Sequence, residues 1–287
     1  MKILTVTNAG FCFGVKRAIN IAFEAAKDNN NEVYTLGPII HNPQVVEKLS
    51  EEGVRAVEDL NQEGIGKLII RSHGVSTDIF KKASEKGIEV IDATCPFVKN
   101  AQKYAHVLQK EGCQVIIVGD RGHPEVKSIL SYAGDDAIVV GNAASIEGIP
   151  LKKKVGIVAQ TTQRNSIFQE VVLKCLEKAE DVKVYNTICD STTKRQDETK
   201  RLAEEVDLVL VVGGKCSANT TQLASICRQM GTKTFHIEVP EEIEECWFDG
   251  VEKVGVTAGA STPDWIIDSV IKRVHEIDKN LSERRYV

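Results

Sequence analysis

The sequence predicts an α/β protein built from three small units with parallel-type sheets, related by a pseudo-threefold axis. Short β-branched strand patterns alternate with helical ones along the whole chain. The same order of polar turns is met three times. A cysteine then recurs at one position of that order, as Cys12, Cys95 and Cys189.

Taken in chain order, "KILTVTNAGFC" reads as a strand ending on Cys12, and "GVKRAINIAFEAAKD" as the helix after it. The strand "EVYTL" runs into Gly37, and "GPIIHNP" places His41 four positions on. The helix "PQVVEKLSEEG" follows, then a weaker strand, then the stronger "KLIIRS", whose turn "RSHGVST" carries His73. A further helix leads to "EVIDAT", which ends on Cys95. The second repeat opens with the helix "FVKNAQKYAHVLQKEG" and the strand "QVIIVG". Its turn "GDRGHPE" sets His123 four positions after Gly119, ahead of the helix "PEVKSIL". The weaker "AIVVG" and stronger "KVGIVAQ" lead to "AQTTQRN", with Thr161 and Thr162. The helix "SIFQEVVLKCLEKAE" and the strand "VKVYNTI" then reach Cys189. In the third repeat, the helix "DETKRLAEEVD" and strand "DLVLVVG" precede "GGKCSAN", where Ser217 stands four after Gly213. The strand "KVGVTAG" ends in "AGASTPD" with Ser261, and "TPDWIIDSVIKRVHEID" is the last helix. No cysteine follows it, and the N-terminal strand supplies the missing one. The units are therefore drawn as 1–95, with residues 1–12 closing the set, 96–189, and 190–287.

Composition narrows the function. The 287 residues are 42% hydrophobic and 27% charged, as in ordinary globular proteins. Aromatics make up only 5%, too few for a stacking surface on single-stranded nucleic acid. Lys and Arg number 36 against 41 Asp and Glu, a net charge of −5 that argues against nucleic acid and against a polybasic membrane anchor. No signal-peptide core or spanning helix is recognisable, so a cytoplasmic location is expected.

The eight cysteines include no C-x-x-C and no zinc-finger spacing. Packing as small hydrophobes accounts for Cys113, Cys175 and Cys227, and is also assigned to Cys246 beside Trp247. Cys12, Cys95 and Cys189 sit in turns, where packing explains less. Functional groups of open α/β sheets gather outside the carboxyl ends of strands, and threefold symmetry would bring these three thiols together. Soft sulfur favours iron–sulfur or zinc. Three ligands on a four-iron cluster would leave one iron open to substrate. Cys216 occupies a different repeat position and is read as a non-ligand.

The other turns offer His41, His73, His123, Glu125, Thr161, Thr162, Ser217, Asn219 and Ser261. A helix cap or turn former would account for any one of them singly. Together, imidazoles, hydroxyls and an amide beside helix N-termini suit an anionic group such as a diphosphate. No nucleotide loop of the G-x-x-x-x-G-K-[ST] or G-x-G-x-x-G type is present. Glu125 is the one acid of the set; an apolar setting would raise its pKa and make it a proton donor.

Nine ordered stretches, among them "AGFCFGVKRAI", "GPIIHNPQVVEKL", "RSHGVS", "DATCPFV", "GHPEV", "AQTT" and "GVTAGASTPDW", carry a resemblance that spans essentially the whole chain. The sequence resembles the 4-hydroxy-3-methylbut-2-enyl diphosphate reductases of isoprenoid synthesis. The resemblance implies a trefoil of three α/β units around one [4Fe-4S] cluster held by Cys12, Cys95 and Cys189, with one open iron. It implies substrate contacts at His41, His73, His123, Thr162, Ser217, Asn219 and Ser261, and catalytic roles for Glu125 and Thr162. It also implies an external one-electron donor such as ferredoxin or flavodoxin. A serine of some relatives is replaced by Ala218, which removes one hydroxyl contact, and Cys216 stands where a non-ligating polar residue is expected. A non-redox iron–sulfur hydro-lyase acting on a small anionic substrate is the alternative, disfavoured by the few Arg and Lys in the turns.

Overall fold

The computed structural model describes residues 1–27 and 33–284. Asp28 of the first predicted helix, Glu32 of the strand "EVYTL", and positions 285–287 of the tail lie outside the described residues. Three four-stranded sheets form, and every strand pairing among the described residues is parallel.

The first sheet contains β2 (Val33–Leu36), β3 (Val54–Val57), β4 (Lys67–Ile70) and β5 (Glu89–Asp92), in the order β3-β2-β4-β5. The second contains β6 (Gln114–Val118), β7 (Ile138–Val140), β8 (Lys154–Ala159) and β9 (Asp181–Val184), in the order β7-β6-β8-β9. The third contains β10 (Leu208–Val212), β11 (Lys233–Ile237) and β12 (Lys253–Ala258), with β1 (Lys2–Thr5) on its edge beside β12. The order is the same each time, and the N-terminal strand takes the place that β5 and β9 hold in the other two sheets. The weaker strand of each repeat is the opposite edge. The central strands read "LII", "VIIV", "GIVA", "LVLVV" and "VGVTA" because both faces are covered, as parallel sheets require.

Nine α-helices are present among the described residues, eight between strands and the last after β12: α1 (Phe13–Lys27), α2 (Pro43–Glu51), α3 (Thr77–Glu85), α4 (Pro96–Lys110), α5 (Pro124–Leu130), α6 (Asn165–Leu176), α7 (Asp190–Glu205), α8 (Ala218–Gln229) and α9 (Asp264–Arg284). Prolines at the first turn of α4 and α5 start those helices without losing a hydrogen bond. Two helices pack closely because glycine faces them. A Cβ on Gly156 of β8 would meet the side chain of Leu108 of α4 at 2.6 Å, and one on Gly255 of β12 would meet Leu202 of α7 at 2.9 Å.

The chain divides into two compact units. One comprises Met1–Cys12, His41–Pro43 and the chain from Asp190 onward; the other comprises Phe13–Ile40 and Gln44–Cys189. The first holds the β1-containing sheet, with Ile266, Val270, Val274 and Ile277 of α9 buried against Leu210, Val254 and Val256. Each such side chain contributes roughly 1.5–3 kcal/mol through burial. The second holds the other two sheets, with cores centred on Leu68 and Ile70 and on Ile116, Ile117 and Ile157.

The structure corrects two readings. The strands do not end on the cysteines: β1, β5 and β9 stop at Thr5, Asp92 and Val184. What resembled strand is an irregular crossing, which keeps one ladder bond at Val6, Ala93 or Tyr185 just past the strand and makes another at the cysteine itself. Cys246 is exposed, not packed, with its thiol 3.6 Å from Glu244 Oε2.

Candidate active site

The turns at the carboxyl ends of the two central strands recur with the same hydrogen bonds. After β2, β6 and β10, the N–H of Gly37, Gly119 and Gly213 donates to Val57, Val140 and Ile237 at 2.8, 2.9 and 2.8 Å. Beyond each edge strand, the cysteine N–H donates to the turn that follows the neighbouring strand. Cys95 reaches Ser72 O at 3.0 Å, Cys189 reaches Thr161 O at 3.0 Å, and Cys12 reaches Ala260 O at 3.1 Å. The three thiols therefore occupy equivalent places, each directly before a helix: α1, α4 or α7. They are partly exposed, whereas Cys113, Cys175 and Cys227 are buried. Burial pushes the Cys175 and Cys227 thiols up to about 11, which keeps them protonated and poor as ligands. Cys216 is exposed, in the turn before α8.

In the two-sheet unit, the site residues form one connected group. His73 and His123 meet edge to face, with ring centroids 5.3 Å apart. His123 caps α5, and its Nδ1 accepts the Glu125 N–H at 3.2 Å. In the neutral ring that bond leaves the proton on Nε2, so His123 presents a donor. Glu125 is 2% exposed. Its carboxyl accepts the Thr161 N–H at 2.6 Å and the Thr161 hydroxyl at 2.9 Å. Burial outweighs those two bonds and raises its pKa to about 7.

The hydroxyl on Glu125 thus belongs to Thr161. Thr162, the residue that the family pattern marked, accepts a hydrogen bond from Gln160 Nε2 at 3.0 Å. Adjacent threonines made the choice undecidable from spacing. Both lie in the turn that follows β8, and only the fold shows that Thr161 is the one that meets Glu125 of α5.

In the other unit, His41, Ser217, Asn219 and Ser261 are gathered by backbone contacts. The Ser261 hydroxyl donates to His41 O at 3.1 Å, and Ala260 N–H donates to Asn219 Oδ1 at 3.1 Å. Ser217 caps α8 and accepts the Thr220 N–H. Gly214 lies so close to His41 O that a side chain there would overlap it. Asn219 is 4% exposed, and its Nδ2 makes no hydrogen bond within the protein. A buried amide donor held in place by its own oxygen is ready for an acceptor from a ligand.

These features have counterparts in known proteins. A model of the LytB protein family matches residues 3–275. The chain belongs to the LytB family. This LytB chain is 52% identical over 279 residues to the 4-hydroxy-3-methylbut-2-enyl diphosphate reductase of Pelobacter propionicus, covering 97% of the chain and 99% of the relative. The enzyme of the same name from Geobacter sp. (strain M21) is 54% identical over 281 residues, covering 98% and 99%. Among solved structures, an (E)-4-hydroxy-3-methyl-but-2-enyl diphosphate reductase, described as the terminal enzyme of the non-mevalonate pathway, is 46% identical. It covers 96% of the LytB chain and 99% of its own, with a TM-score of 0.69. The E-1-hydroxy-2-methyl-but-2-enyl-4-diphosphate reductase of Plasmodium falciparum, 29% identical, gives a TM-score of 0.91 over 94% and 87%.

Proposed function

We propose that this protein reduces 4-hydroxy-3-methylbut-2-enyl diphosphate to isopentenyl and dimethylallyl diphosphate. Two electrons and two protons enter per turnover, and the allylic hydroxyl leaves as water. The observation that carries the reading is the recurrence of three partly exposed thiols, each bonded through its N–H to an equivalent turn. Their sulfur donors, each at a helix start, fit an iron–sulfur cluster. When bound, a [4Fe-4S] cluster held by Cys12, Cys95 and Cys189 supplies electrons singly and an open iron as Lewis acid.

The chain's own residues do the rest. His41, His73, His123, Ser217, Asn219 and Ser261 hold the diphosphate through neutral donors, with the unspent Nδ2 of Asn219 among them. Holding that end fixes the reacting carbon, the positional part of the catalysis. Glu125, with a pKa near 7, is half protonated at neutral pH, and Thr161 lies on its carboxyl to pass the proton to the departing oxygen. Thr162, whose hydroxyl is held by Gln160, contacts the substrate. Burial of Glu125 keeps the proton from bulk water.

Electrons come from an external one-electron donor such as ferredoxin or flavodoxin, and the protein works in the cytoplasm. No helix among the described residues is long and apolar enough to cross a membrane. The hydro-lyase alternative is set aside, since the matched relatives are named reductases.

Anaerobic purification with iron and sulfide analysis, followed by assay with dithionite and a mediator dye, tests the proposal. Near four irons and four sulfides, with both isomeric products, is the expected result. Zinc, or no metal under strict anaerobic handling, would overturn it.

A further inference from the structure

Three contacts that the proposed chemistry does not use tie the ligand-bearing segments to helices. Arg17 lies on α1, the helix that follows Cys12. Its Nη1 donates to Thr94 O at 3.2 Å and its Nη2 to Asp92 O at 3.4 Å. Those carbonyls stand at the end of β5 and in the crossing that leads from it to Cys95. Arg195 lies on α7, the helix that follows Cys189, and is 2% exposed. Both its Nη atoms donate to Gly10 O, at 3.1 and 3.0 Å, and Nη1 also donates to Ala258 O at 3.0 Å. Gly10 is two residues before Cys12, and Ala258 two before the carbonyl that Cys12 N–H binds. Tyr104 lies on α4, the helix that follows Cys95. Its ring stacks on Tyr185, in the crossing that ends at Cys189, with centroids 4.1 Å apart and planes 14° from parallel.

The ties form a cycle. The helix leaving Cys12 holds the approach to Cys95, the helix leaving Cys95 holds the approach to Cys189, and the helix leaving Cys189 holds the approach to Cys12. Two ties are guanidinium groups and one is a ring stack. Burying a guanidinium is costly unless its N–H groups are matched, and carbonyls of an irregular crossing need donors for the same reason. An arginine placed there fixes the loop and brings a permanent positive charge to the segment that carries the cysteine, Arg17 at the carbonyl one residue before Cys95 and Arg195 at the carbonyl two before Cys12. Outer partners of this kind orient ligands and tune the bound group, and positive charge nearby favours the more reduced state.

We propose that Arg17 and Arg195 are positioning residues for the cluster ligands Cys95 and Cys12, fixing the approach to each thiol and raising the reduction potential of the cluster. The inference rests on the iron–sulfur reading above.

The test uses the full chain purified anaerobically, with the parent beside Arg17→Met, Arg17→Lys and Arg195→Lys. A parent that takes up no iron or sulfide overturns the proposed function, and this inference with it. With a loaded parent, Arg17→Met should hold its iron roughly 10–100-fold more weakly against a chelator. Its midpoint potential should move to more negative values, and deuterium uptake in the metal-free protein should rise within 92–95. The lysine variants should keep the potential but show the same local rise, over 92–95 for Arg17→Lys and over 7–12 for Arg195→Lys. Arg195→Lys keeps a cation in the buried position and avoids the risk that an apolar replacement would not fold. Parent-like iron retention, potential and exchange in all three variants would overturn the inference. So would a rise in exchange spread over the whole unit with a lowered Tm and an unmoved potential, since that is the mark of a structural role alone.

Discussion

Glu125 and Thr161 share two hydrogen bonds across 36 residues of chain, one from the threonine N–H at 2.6 Å and one from its hydroxyl at 2.9 Å. The Thr161 carbonyl in turn accepts the Cys189 N–H at 3.0 Å. One threonine therefore joins the proposed proton donor to a proposed cluster ligand.

Replacing Glu125 with Gln should lower turnover by roughly 10²–10⁴-fold, the usual worth of a placed acid, while leaving iron and sulfide content unchanged. Single-turnover assays beside metal analysis check both halves. Near-parent turnover would remove Glu125 from the mechanism.

The neighbouring threonines should separate by their pH profiles. Thr161→Val removes a bond that lowers the Glu125 pKa, so the fall in rate above about pH 7 should move to higher pH. Thr162→Val should leave that limb in place and act mainly on substrate affinity. Rate profiles of the two variants over the same pH range decide which hydroxyl serves the acid.

Glu125 also leaves a mark on stability. Its folded pKa of about 7 lies above the ordinary 4.5. Between those values the unfolded chain gives up the proton first, so the folded state binds more protons and loses stability as pH rises. The full penalty, on the order of 3 kcal/mol, is reached above about pH 7 and is absent below pH 4.5. Glu125→Gln never ionises, so its stability relative to the parent should grow from pH 5 to pH 8 in urea titrations of metal-free protein. An equal difference at both pH values would show that Glu125 is not held neutral.

Asn219→Ala should weaken binding of the diphosphate substrate by roughly ten- to a hundredfold, since hydrogen bonds to charged groups are the stronger kind. Calorimetry with the substrate or inorganic diphosphate measures it. Affinity unchanged within twofold would mean that the unspent Nδ2 faces something other than the anion.

Cys12→Ser, Cys95→Ser and Cys189→Ser should each lose iron, whereas Cys216→Ser and Cys246→Ser should retain it. Iron content after identical anaerobic preparation is the readout. Retention in any of the first three would reassign that ligand.

The residues explain how far the sequence could be read. The succession of strands along the chain was legible because β-branched runs such as "VIIV" and "LVLVV" are buried on both faces, and because Gly37, Gly119 and Gly213 mark the same turn. The edge strands β3 and β11, "VRAV" and "KTFHI", carry charged or partly exposed residues and show up only through the repeat. The cysteines were found by position, but the crossings before them looked like strand because β-branched residues continue past Asp92 and Val184. Thr161 and Thr162 are chemically alike, so only the direction of their side chains tells them apart. Arg17 and Arg195 sit among ordinary helical charges, "VKRA" and "TKRQ", and nothing local sets them apart from solvated neighbours. Cys246 looked like packing because Trp247 is beside it, yet Trp247 stacks on Phe235 and leaves the thiol exposed.

The pairing of β1 with β12 sets Lys2 opposite Lys253, and Cys12 finds its carbonyl on Ala260. Ribosomal synthesis delivers those partners far apart in time, since domains form as the chain emerges, N-terminal part first. The sheets of β2–β5 and of β6–β9 can close while β1 still waits for β12. The thiol that is made first is therefore the one secured last, and metal delivery before the C-terminal sheet is complete would meet only two anchored cysteines.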